Sequence, residues 1–185
     1  MNALATSVAP PMPVLDIPVL ETPRMLLRAP TVDDFPAEVA FYASDRSRGV
    51  GGPYPIETVW RKMCERLGQW VLRGYGLWSM QMKDTGAYAG RVGIFHPHDW
   101  PGPELGWAVM ADAEGKGLAF EAAQIVRRHV YQTHGWTRLI SVIDPDNARS
   151  IALAERLGCT REPDWEQPTE GMVTIWLHPQ PEGQA

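Results

Sequence analysis

The segment from residue 104 to 123 joins two different residue patterns through a short connection that contains glycine. Residues 105–110 are apolar, which is typical of a buried strand, and the residues from 118 onward repeat at helical spacing. Between them stands Gly115-Lys116-Gly117, in which the glycines permit a tight turn with no Cβ in the way. The spacing therefore predicts a strand, a turn and a helix whose first amide groups are open to a ligand.

An open helix end of this kind is suited to an anion. The amides of Lys116, Gly117, Leu118 and Ala119 would face a pyrophosphate, and the positive end of the helix dipole favours the same charge. Two other phosphate loops do not fit. A P-loop has Ser or Thr after Gly-Lys, and a dinucleotide fingerprint has a third glycine where this chain has Phe120. A plain strand-to-helix turn remains the alternative on spacing alone.

The glycine turn resembles the acetyl-CoA loop of the GNAT N-acetyltransferase superfamily, Arg/Gln-x-x-Gly-x-Gly/Ala. The matching residues are Glu114-Gly115-Lys116-Gly117-Leu118-Ala119, followed by Phe120-Glu121-Ala122-Ala123 as in the family's helix. Two more segments are similar to the RimJ/RimL-like branch: Thr22-Pro-Arg-Met-Leu-Leu-Arg28 with Asp33, and Asp146-Asn147-Ala148-Arg149-Ser150 leading to Glu155 and Gly158. Glu114 departs from the pattern, because Arg or Gln is usual there. In order and spacing the resemblance covers about residues 22–178.

This resemblance implies an α/β domain with the GNAT acyl-CoA N-acyltransferase fold, in which a mixed central sheet carries helices on both faces. Acetyl-CoA would be the co-substrate, and no metal is expected. The local patterns predict the order β-α-α-β-β-β-α-β-α-β, which agrees with that fold. We expect an extended Pro-rich arm over residues 1–21, the N-acetyltransferase domain over 22–178 and a tail over 179–185.

The resemblance also implies roles for single residues. Glu104 corresponds to a glutamate of the branch that is often proposed as general base, which would remove a proton from the attacking amine. A structural carboxylate at the start of a strand is the alternative. Asn147 would contact CoA. Ser150 would protonate the departing thiolate, because the tyrosine that many GNAT enzymes use is replaced by Ala154, or water would supply that proton instead. Capping of a helix by Asn147 and Ser150 is the alternative for that pair.

An amide at Val109 or Met110 would stabilise the oxyanion of the reaction. The expected cofactor-binding residues are therefore Val109, Met110, Gly115, Lys116, Gly117, Leu118, Ala119 and Asn147. The Lys116 side chain would either contact a phosphate or remain in solvent. If Glu114 points inward, its carboxylate would weaken the binding of CoA.

The composition limits the choice of partners. The chain has 185 residues and a formal charge of -5, and it shows no run of Lys or Arg, so we do not expect it to bind nucleic acid. No apolar stretch approaches the roughly 20 residues that span a bilayer, so we expect no membrane partner and a cytoplasmic location. Cys64 and Cys159 are expected to be reduced thiols. The oligomeric state is open, with a homodimer as one alternative.

Aromatic and histidine residues give further expectations. Trp60 and Trp70 fall on the apolar stripe of the second helix and are expected in the core. Trp100, in the loop of residues 96–103, could form a wall of the acceptor pocket. The same loop contains His96, His98 and Asp99, but without a distant fourth ligand a solvated loop is favoured over a zinc site.

The sequence thus favours an N-acetyltransferase that moves an acetyl group from acetyl-CoA directly to a primary amine of a small molecule or of a protein N-terminus. The alternative is a non-catalytic module that binds CoA or a partner on the same fold, since fold does not guarantee activity. The acceptor pocket would be formed by residues 46–56 and 96–103, which contain no motif that identifies the amine.

Overall fold

The computed structural model of this protein describes residues 16–167 and 171–180. The strands are β1 (Leu20–Glu21), β2 (Met25–Arg28), β3 (Leu77–Met82), β4 (Tyr88–Phe95), β5 (Glu104–Val109), β6 (Ile140–Ile143), β7 (Thr160–Arg161), β8 (Trp165–Gln167) and β9 (Gly171–Leu177). The helices are α1 (Phe35–Tyr42), α2 (Ile56–Arg73), α3 (Leu118–His134) and α4 (Ala148–Arg156). Short 3-10 turns cover Val32–Asp34, Asp45–Val50 and Ala111–Ala113. No helix in the described ranges is both long and apolar enough to cross a bilayer.

The strands form one mixed sheet in the order β1-β2-β3-β4-β5-β6-β9-β7, and β8 pairs with β9. All neighbouring pairs are antiparallel except β5 and β6, which are parallel and joined only where Glu104 lies opposite Ile140. Helix α3 connects these two strands. Because β5 and β6 diverge after their first pair, most of one edge of β5 is free of strand pairing. This confirms the expected mixed sheet of the GNAT fold.

Each face of the sheet has its own apolar cluster. Leu118, Ala122, Val126 and Val130 of α3 are buried against one face, as their helical spacing predicts. On the opposite face Phe41, Tyr42 and Val59 pack against Ala108 of β5. Successive residues of a strand point to opposite faces, so β5 contributes to both clusters.

A buried cluster of charged and phenolic side chains joins α1 to β4. Arg91 donates two hydrogen bonds of 2.8 Å to the Glu38 carboxylate, and Arg66 donates another of 2.8 Å. The Tyr88 hydroxyl also donates to Glu38, and Tyr42 accepts from both arginines. Burial alone would raise the pKa of Glu38, but the guanidinium groups of Arg91 and Arg66 outweigh it and lower that pKa to about 2. Glu38 is therefore a buried anion that holds α1 on the sheet.

The structure differs from the sequence expectations at the N-terminus. Residues 16–21 are not a separate arm. Ile17 belongs to the core at 8% exposure, β1 pairs with β2, and the Trp78 indole donates to the Pro18 carbonyl at 2.7 Å. The boundary expected at residue 22 therefore comes too late in the chain. Residues 1–15 and 181–185, where the rest of the arm and most of the tail were expected, lie outside the described residues.

One other expectation was wrong, and two short strands were missed. Trp60 was expected in the core but is 48% exposed, because α2 turns its buried side toward Val59 and Trp70 instead. The short strands β7 and β8 were not predicted. They are two and three residues long, which is too short for an alternation pattern to show.

Candidate functional site

A cavity of about 870 Å³ opens where β5 and β6 diverge. Its lining comes from segments that are distant in sequence: the end of β5, the glycine turn with the start of α3, the start of α4, and the 3-10 turn Asp45–Val50. The divergence of the strands exposes the β5 edge, and the N-terminal ends of both helices point toward the same space. The fold thus brings together most of the residues that the sequence singled out.

The glycine turn has the backbone that its sequence predicts. Gly115 and Gly117 have φ values of 73° and 74°, in the left-handed region that favours glycine, and Gly117 is the N-terminal cap of α3. Both glycines line the cavity together with Leu118 and Ala119. The first-turn amides of α3 therefore face the cavity with the positive end of the helix dipole.

Arg24 fixes this turn from the side of β2, a role that sequence reasoning missed. Its guanidinium donates to the Lys116 carbonyl at 2.8 Å and to the Glu121 carboxylate at 2.8 Å, and its own amide donates to Glu121 at 3.0 Å. Arg24 and Glu121 both stand within motifs that the sequence analysis quoted, but their 97-residue separation hides the contact. Their bonds hold the glycine turn against the sheet.

The Lys116 side chain does not line the cavity. Its ammonium donates to the Asp112 carbonyl at 2.7 Å, outside the group of residues that surround the cavity. The expectation that the Lys116 side chain contacts a phosphate is therefore not supported by its position, and the expectation that it remains in solvent agrees better with this contact.

Glu114 lies at the cavity wall and is paired with two arginines. Arg46, from the 3-10 turn, donates to its carboxylate at 2.6 Å, and Arg149 of α4 donates to the other oxygen. The hydrogen bond from Arg46 is the main cause that lowers the pKa of Glu114, against a smaller effect of burial. Arg46 also donates to the Val109 carbonyl at 3.3 Å, while its buried Nε has no hydrogen-bond partner. The carboxylate expected to repel an anion is thus neutralised by its neighbours.

The charges that line the cavity balance. The arginines are Arg46, Arg48, Arg149 and Arg156, and the carboxylates are Asp45, Glu114, Asp144 and Asp146. Sequence reasoning predicted a phosphate contact for none of these arginines: Arg46 and Arg48 stand in the segment expected to form the acceptor pocket, and Arg149 was quoted only as part of the Asp146–Ser150 motif. The phosphates of a polyanionic ligand could replace the protein's own carboxylates as partners of these guanidinium groups.

The amides of Val109 and Met110, the two expected donors to an oxyanion, differ in their hydrogen bonding. The Met110 amide donates to the Ala89 carbonyl at 2.9 Å and is therefore occupied within the sheet. Amide directions alternate along an antiparallel strand, so the Val109 amide points away from β4 toward the diverging edge. Val109 also lines the cavity, whereas Met110 packs in the cluster under α1. The expected amide role is therefore wrong for Met110, and it stays a prediction for Val109.

Asn147 and Ser150 lie together at the start of α4. Asn147 caps the helix, its Oδ1 accepting the Ser150 amide at 3.1 Å, and both residues line the cavity. The Ser150 hydroxyl accepts a hydrogen bond of 3.3 Å from the Trp107 indole of β5. The capping role is thus confirmed, and the same geometry presents the Ser150 hydroxyl across the gap between α4 and the β5 edge.

Glu104 lies at the other end of β5, on the face that carries α1 and α2. Its carboxylate accepts a 2.7 Å hydrogen bond from the Trp100 indole and does not line the large cavity. The other oxygen lies 3.5 Å from the point that a Cβ on Gly106 would occupy. The Glu104 side chain therefore extends along the strand toward Ala108, over a position that carries no side chain.

Trp100 is part of an aromatic cluster beside Glu104. Its ring makes edge contacts with Phe95 and Trp165 at centroid distances of 5.3 and 5.2 Å. Trp165 was not predicted, because it comes from β8 after a change of direction that the sequence does not signal. These rings form an apolar cluster beside the Glu104 carboxylate. Trp100 does not line the large cavity, and its role in an acceptor pocket stays a prediction.

The histidine loop has other contacts. His96 lies 2.8 Å from the Tyr75 hydroxyl, and its amide donates to Gln69 at 2.9 Å. Burial and the nearby Arg73 lower the pKa of His96. Over residues 16–167 and 171–180, no group of three or more His, Cys, Asp or Glu side chains is arranged to hold a metal ion.

Comparison with known proteins gives one family. The family described as "Acetyltransferase (GNAT) domain" matches residues 24–160. Among curated proteins of Bacillus subtilis, the uncharacterized N-acetyltransferase YoaA is 25% identical over 78% of this chain and 84% of its own length. The uncharacterized protein YkkB is 31% identical over 46% of this chain, which spans about half (52%) of that protein.

Solved structures give the same fold. An acetyltransferase from Agrobacterium tumefaciens superposes with a TM-score of 0.83 at 37% identity, covering 89% of this chain and 96% of that one. RimL, a ribosomal L7/L12 α-N-protein acetyltransferase in complex with coenzyme A, has a TM-score of 0.71 at 16% identity and covers 87% of this chain and 97% of its own. At that identity the second likeness concerns the fold alone.

Proposed function

Because the chain belongs to the GNAT acetyltransferase family, we propose that it moves the acetyl group of acetyl-CoA directly to a primary amine. The observation that carries the proposal is the cavity itself, in which the amide end of α3 and the open edge of β5 face the same space. The amide end of α3 would hold the diphosphate of CoA, and the open edge of β5 would receive the thioester carbonyl. The family's reaction needs both groups in one place. Arginines around the cavity supply charge that matches the phosphates of CoA.

The described residues have distinct tasks in such a transfer. The amides of residues 117–119 bind the diphosphate, and the Val109 amide donates to the thioester oxygen, where negative charge develops as the amine attacks. The nitrogen–carbon bond forms and the carbon–sulfur bond breaks. Ser150 supplies a proton to the sulfur from the start of α4, and its hydroxyl is held there by Trp107.

Glu104 accepts the proton that the amine loses. Its carboxylate lies on the same face of β5 as Ala108, and only Gly106 stands between them. An amine held over Gly106 would have the Glu104 carboxylate on one side and the open edge of β5 at Val109 on the other. Since the Cα atoms of residues 104 and 108 are about 13 Å apart along the strand, a bound water would complete the proton path.

Direct transfer also agrees with the state of the cysteines. Burial raises the pKa of the Cys159 thiol to about 11, so that it stays protonated near neutral pH, and Cys64 lies on the outer side of α2. Neither thiol lines the cavity. A covalent acetyl-cysteine intermediate therefore has no candidate residue among those described.

The acceptor is a small amine or a protein N-terminus. RimL acts on a ribosomal protein N-terminus and shares the fold, which supports the second class by analogy. The apolar wall of Trp100, Phe95 and Trp165 beside a carboxylate suits a cationic amine with an apolar body. Both classes are compatible with these contacts.

Two measurements test the proposal together. Isothermal calorimetry with acetyl-CoA reports binding, and release of free CoA thiol with a panel of small amines and basic N-terminal peptides reports transfer. We expect binding and an amine-dependent thiol signal, with an acetylated product in mass spectrometry. Binding without transfer to any acceptor would support a non-catalytic CoA-binding module instead, and absence of binding would contradict both that module and the transferase.

A further inference from the structure

Helix α2 carries an apolar stripe that no element among the described residues covers. Ile56, Trp60, Leu67 and Val71 are 50%, 48%, 39% and 64% exposed, and Cys64 in their middle is also exposed. Their spacing of three and four residues places them on one side of the helix. From residue 56 to 71 the stripe is about 22 Å long.

This stripe is separate from the side with which α2 packs on its own domain. The buried residues of the helix are Val59 and Trp70, about a quarter of a turn away. The Trp60 ring is held at the surface by an edge contact with Phe35 at 5.4 Å. The stripe leaves on the order of 400 Å² of apolar surface in water, which is the size at which such patches mark contacts between proteins.

A glycine inside the helix lies next to the stripe. Glycine is a poor helix former, so Gly68 destabilises α2 relative to alanine. A Cβ built on Gly68 would meet no atom within 4 Å, so nothing inside the described molecule requires a glycine there. A helix surface without a side chain at this point allows another backbone or a large ring to approach closely.

From these features we propose that α2 pairs with α2 of a second copy of this chain in an antiparallel dimer. A two-fold axis near Cys64 brings Trp60 of each copy over Gly68 of the other, since both lie four residues from the axis. The same axis brings Arg61 toward Glu65 of the partner copy, along the outer edge of the stripe. The surface is thus self-complementary, because it places each Trp60 ring against a Gly68 and each Arg61 near a Glu65.

The area agrees with a reversible dimer. A standard interface buries about 800 Å² on each partner, and the stripe supplies about half of that before its charged edge is counted. Because the surface is its own complement, a second copy supplies both the ring and the opposite charges, whereas a different protein would need to carry the same combination. The proposal is independent of the catalytic activity.

Adjacent residues of α2 provide a matched pair of variants. Val71 lies in the stripe, and Leu72, which is 85% exposed, points about 100° away from it. In sedimentation velocity over a concentration series, we expect the full chain to dimerise and Val71→Glu to raise the dimer Kd at least tenfold. Leu72→Glu should change it less than twofold. A wild-type chain that stays monomeric, or equal effects of the two variants, would overturn the proposal.

Two further measurements use Gly68 and Cys64. Gly68→Gln should raise the melting temperature, because glutamine is the better helix former, and should weaken dimerisation because it fills the space that the partner's ring needs. A short bis-maleimide should cross-link wild-type dimers through Cys64 and leave Cys64→Ser uncross-linked, since Cys159 is buried. If Gly68→Gln dimerises as well as the wild type, the proposed register is wrong.

Discussion

Glu114 is the residue at which this chain departs from its family's motif, and its neighbours compensate for the change. Arg46 and Arg149 approach its carboxylate from a 3-10 turn and from α4, so that the wall of the cavity is closed by ion pairs. Glu114 is 36% exposed and Arg149 is 73% exposed, so solvent weakens these pairs considerably. Glu114 thus holds arginines that the phosphates of a ligand would also attract.

Replacing Glu114 should therefore favour the ligand. We predict that Glu114→Gln lowers the Kd for acetyl-CoA by about two- to tenfold at low salt, because the guanidinium groups lose an internal competitor. Calorimetry at two ionic strengths measures the effect, which should shrink at the higher one. Asp112→Asn is the matched control, since it removes the same charge from a neighbouring residue outside the cavity lining. Weaker binding of the Glu114 variant would show that the carboxylate positions the arginines for the ligand.

Glu104 is the residue on which the proton transfer depends. We predict that Glu104→Gln keeps the affinity for acetyl-CoA, lowers kcat/KM by about 10² to 10⁴ and flattens the acidic limb of the pH profile, as loss of a general base requires. Steady-state kinetics across pH, with calorimetry for binding, measures both effects.

A glutamate remote from the cavity controls for a general effect of charge removal. Glu162 pairs with Arg138 at 2.5 Å, and Glu162→Gln should leave the kinetics unchanged. Near-normal turnover of Glu104→Gln would remove this residue from the mechanism and leave the transfer itself in place, with the amine losing its proton to water.

At the scale of elements, the site depends on how one turn and one strand edge are arranged. The turn before α3 requires left-handed backbone at Gly115 and Gly117, and this orients the helix amides toward the cavity. The edge of β5 is open because β6 pairs with it only at Glu104. The turn could be predicted from its glycines. The divergence of β5 and β6 could not, because parallel partners separated by a whole helix leave no register signal in either strand.

Gly117 and Gly74 give a matched test of the turn. Their φ values are 74° and 73°, so a β-branched residue is strained equally at both, but only Gly117 lines the cavity. We predict that Gly117→Val raises the Kd for acetyl-CoA at least tenfold, because the strained turn no longer directs its amides at the diphosphate. Gly74→Val should lose similar melting temperature and bind normally. Equal affinities in calorimetry would contradict the proposed anion site.

At the scale of the whole molecule, the buried cluster around Glu38 links the α1 layer to the sheet. Glu38 has a folded pKa of about 2 against an ordinary value of 4.5. The folded protein therefore binds the proton less readily than the unfolded chain. Its contribution to stability is present above about pH 4.5 and is lost as the pH falls toward 2.

This shift predicts the acid stability of the fold. We expect the free energy of unfolding to fall by about 3 kcal/mol between pH 4.5 and 2 on account of Glu38, since one pKa unit corresponds to about 1.4 kcal/mol. Denaturant titrations at several pH values measure it. Glu38→Gln should be less stable than the wild type at neutral pH, because Arg91 stays buried with no anion. It should also show a smaller loss on acidification, and an unchanged acid dependence would contradict the role of Glu38.

The sequence by itself determined the order of the main elements, the glycine turn and the family, because these depend on local spacing and backbone preference. It also placed Glu104, Val109, Asn147 and Ser150 on the correct elements. Only the tertiary structure decided that Met110 is occupied by the sheet, that Lys116 turns away, and that Trp60 is exposed. It alone revealed the pairing of Glu114 with Arg46 and Arg149. Those outcomes depend on contacts between segments far apart in the chain, and the identity of a residue does not specify which distant partner the fold will bring to it.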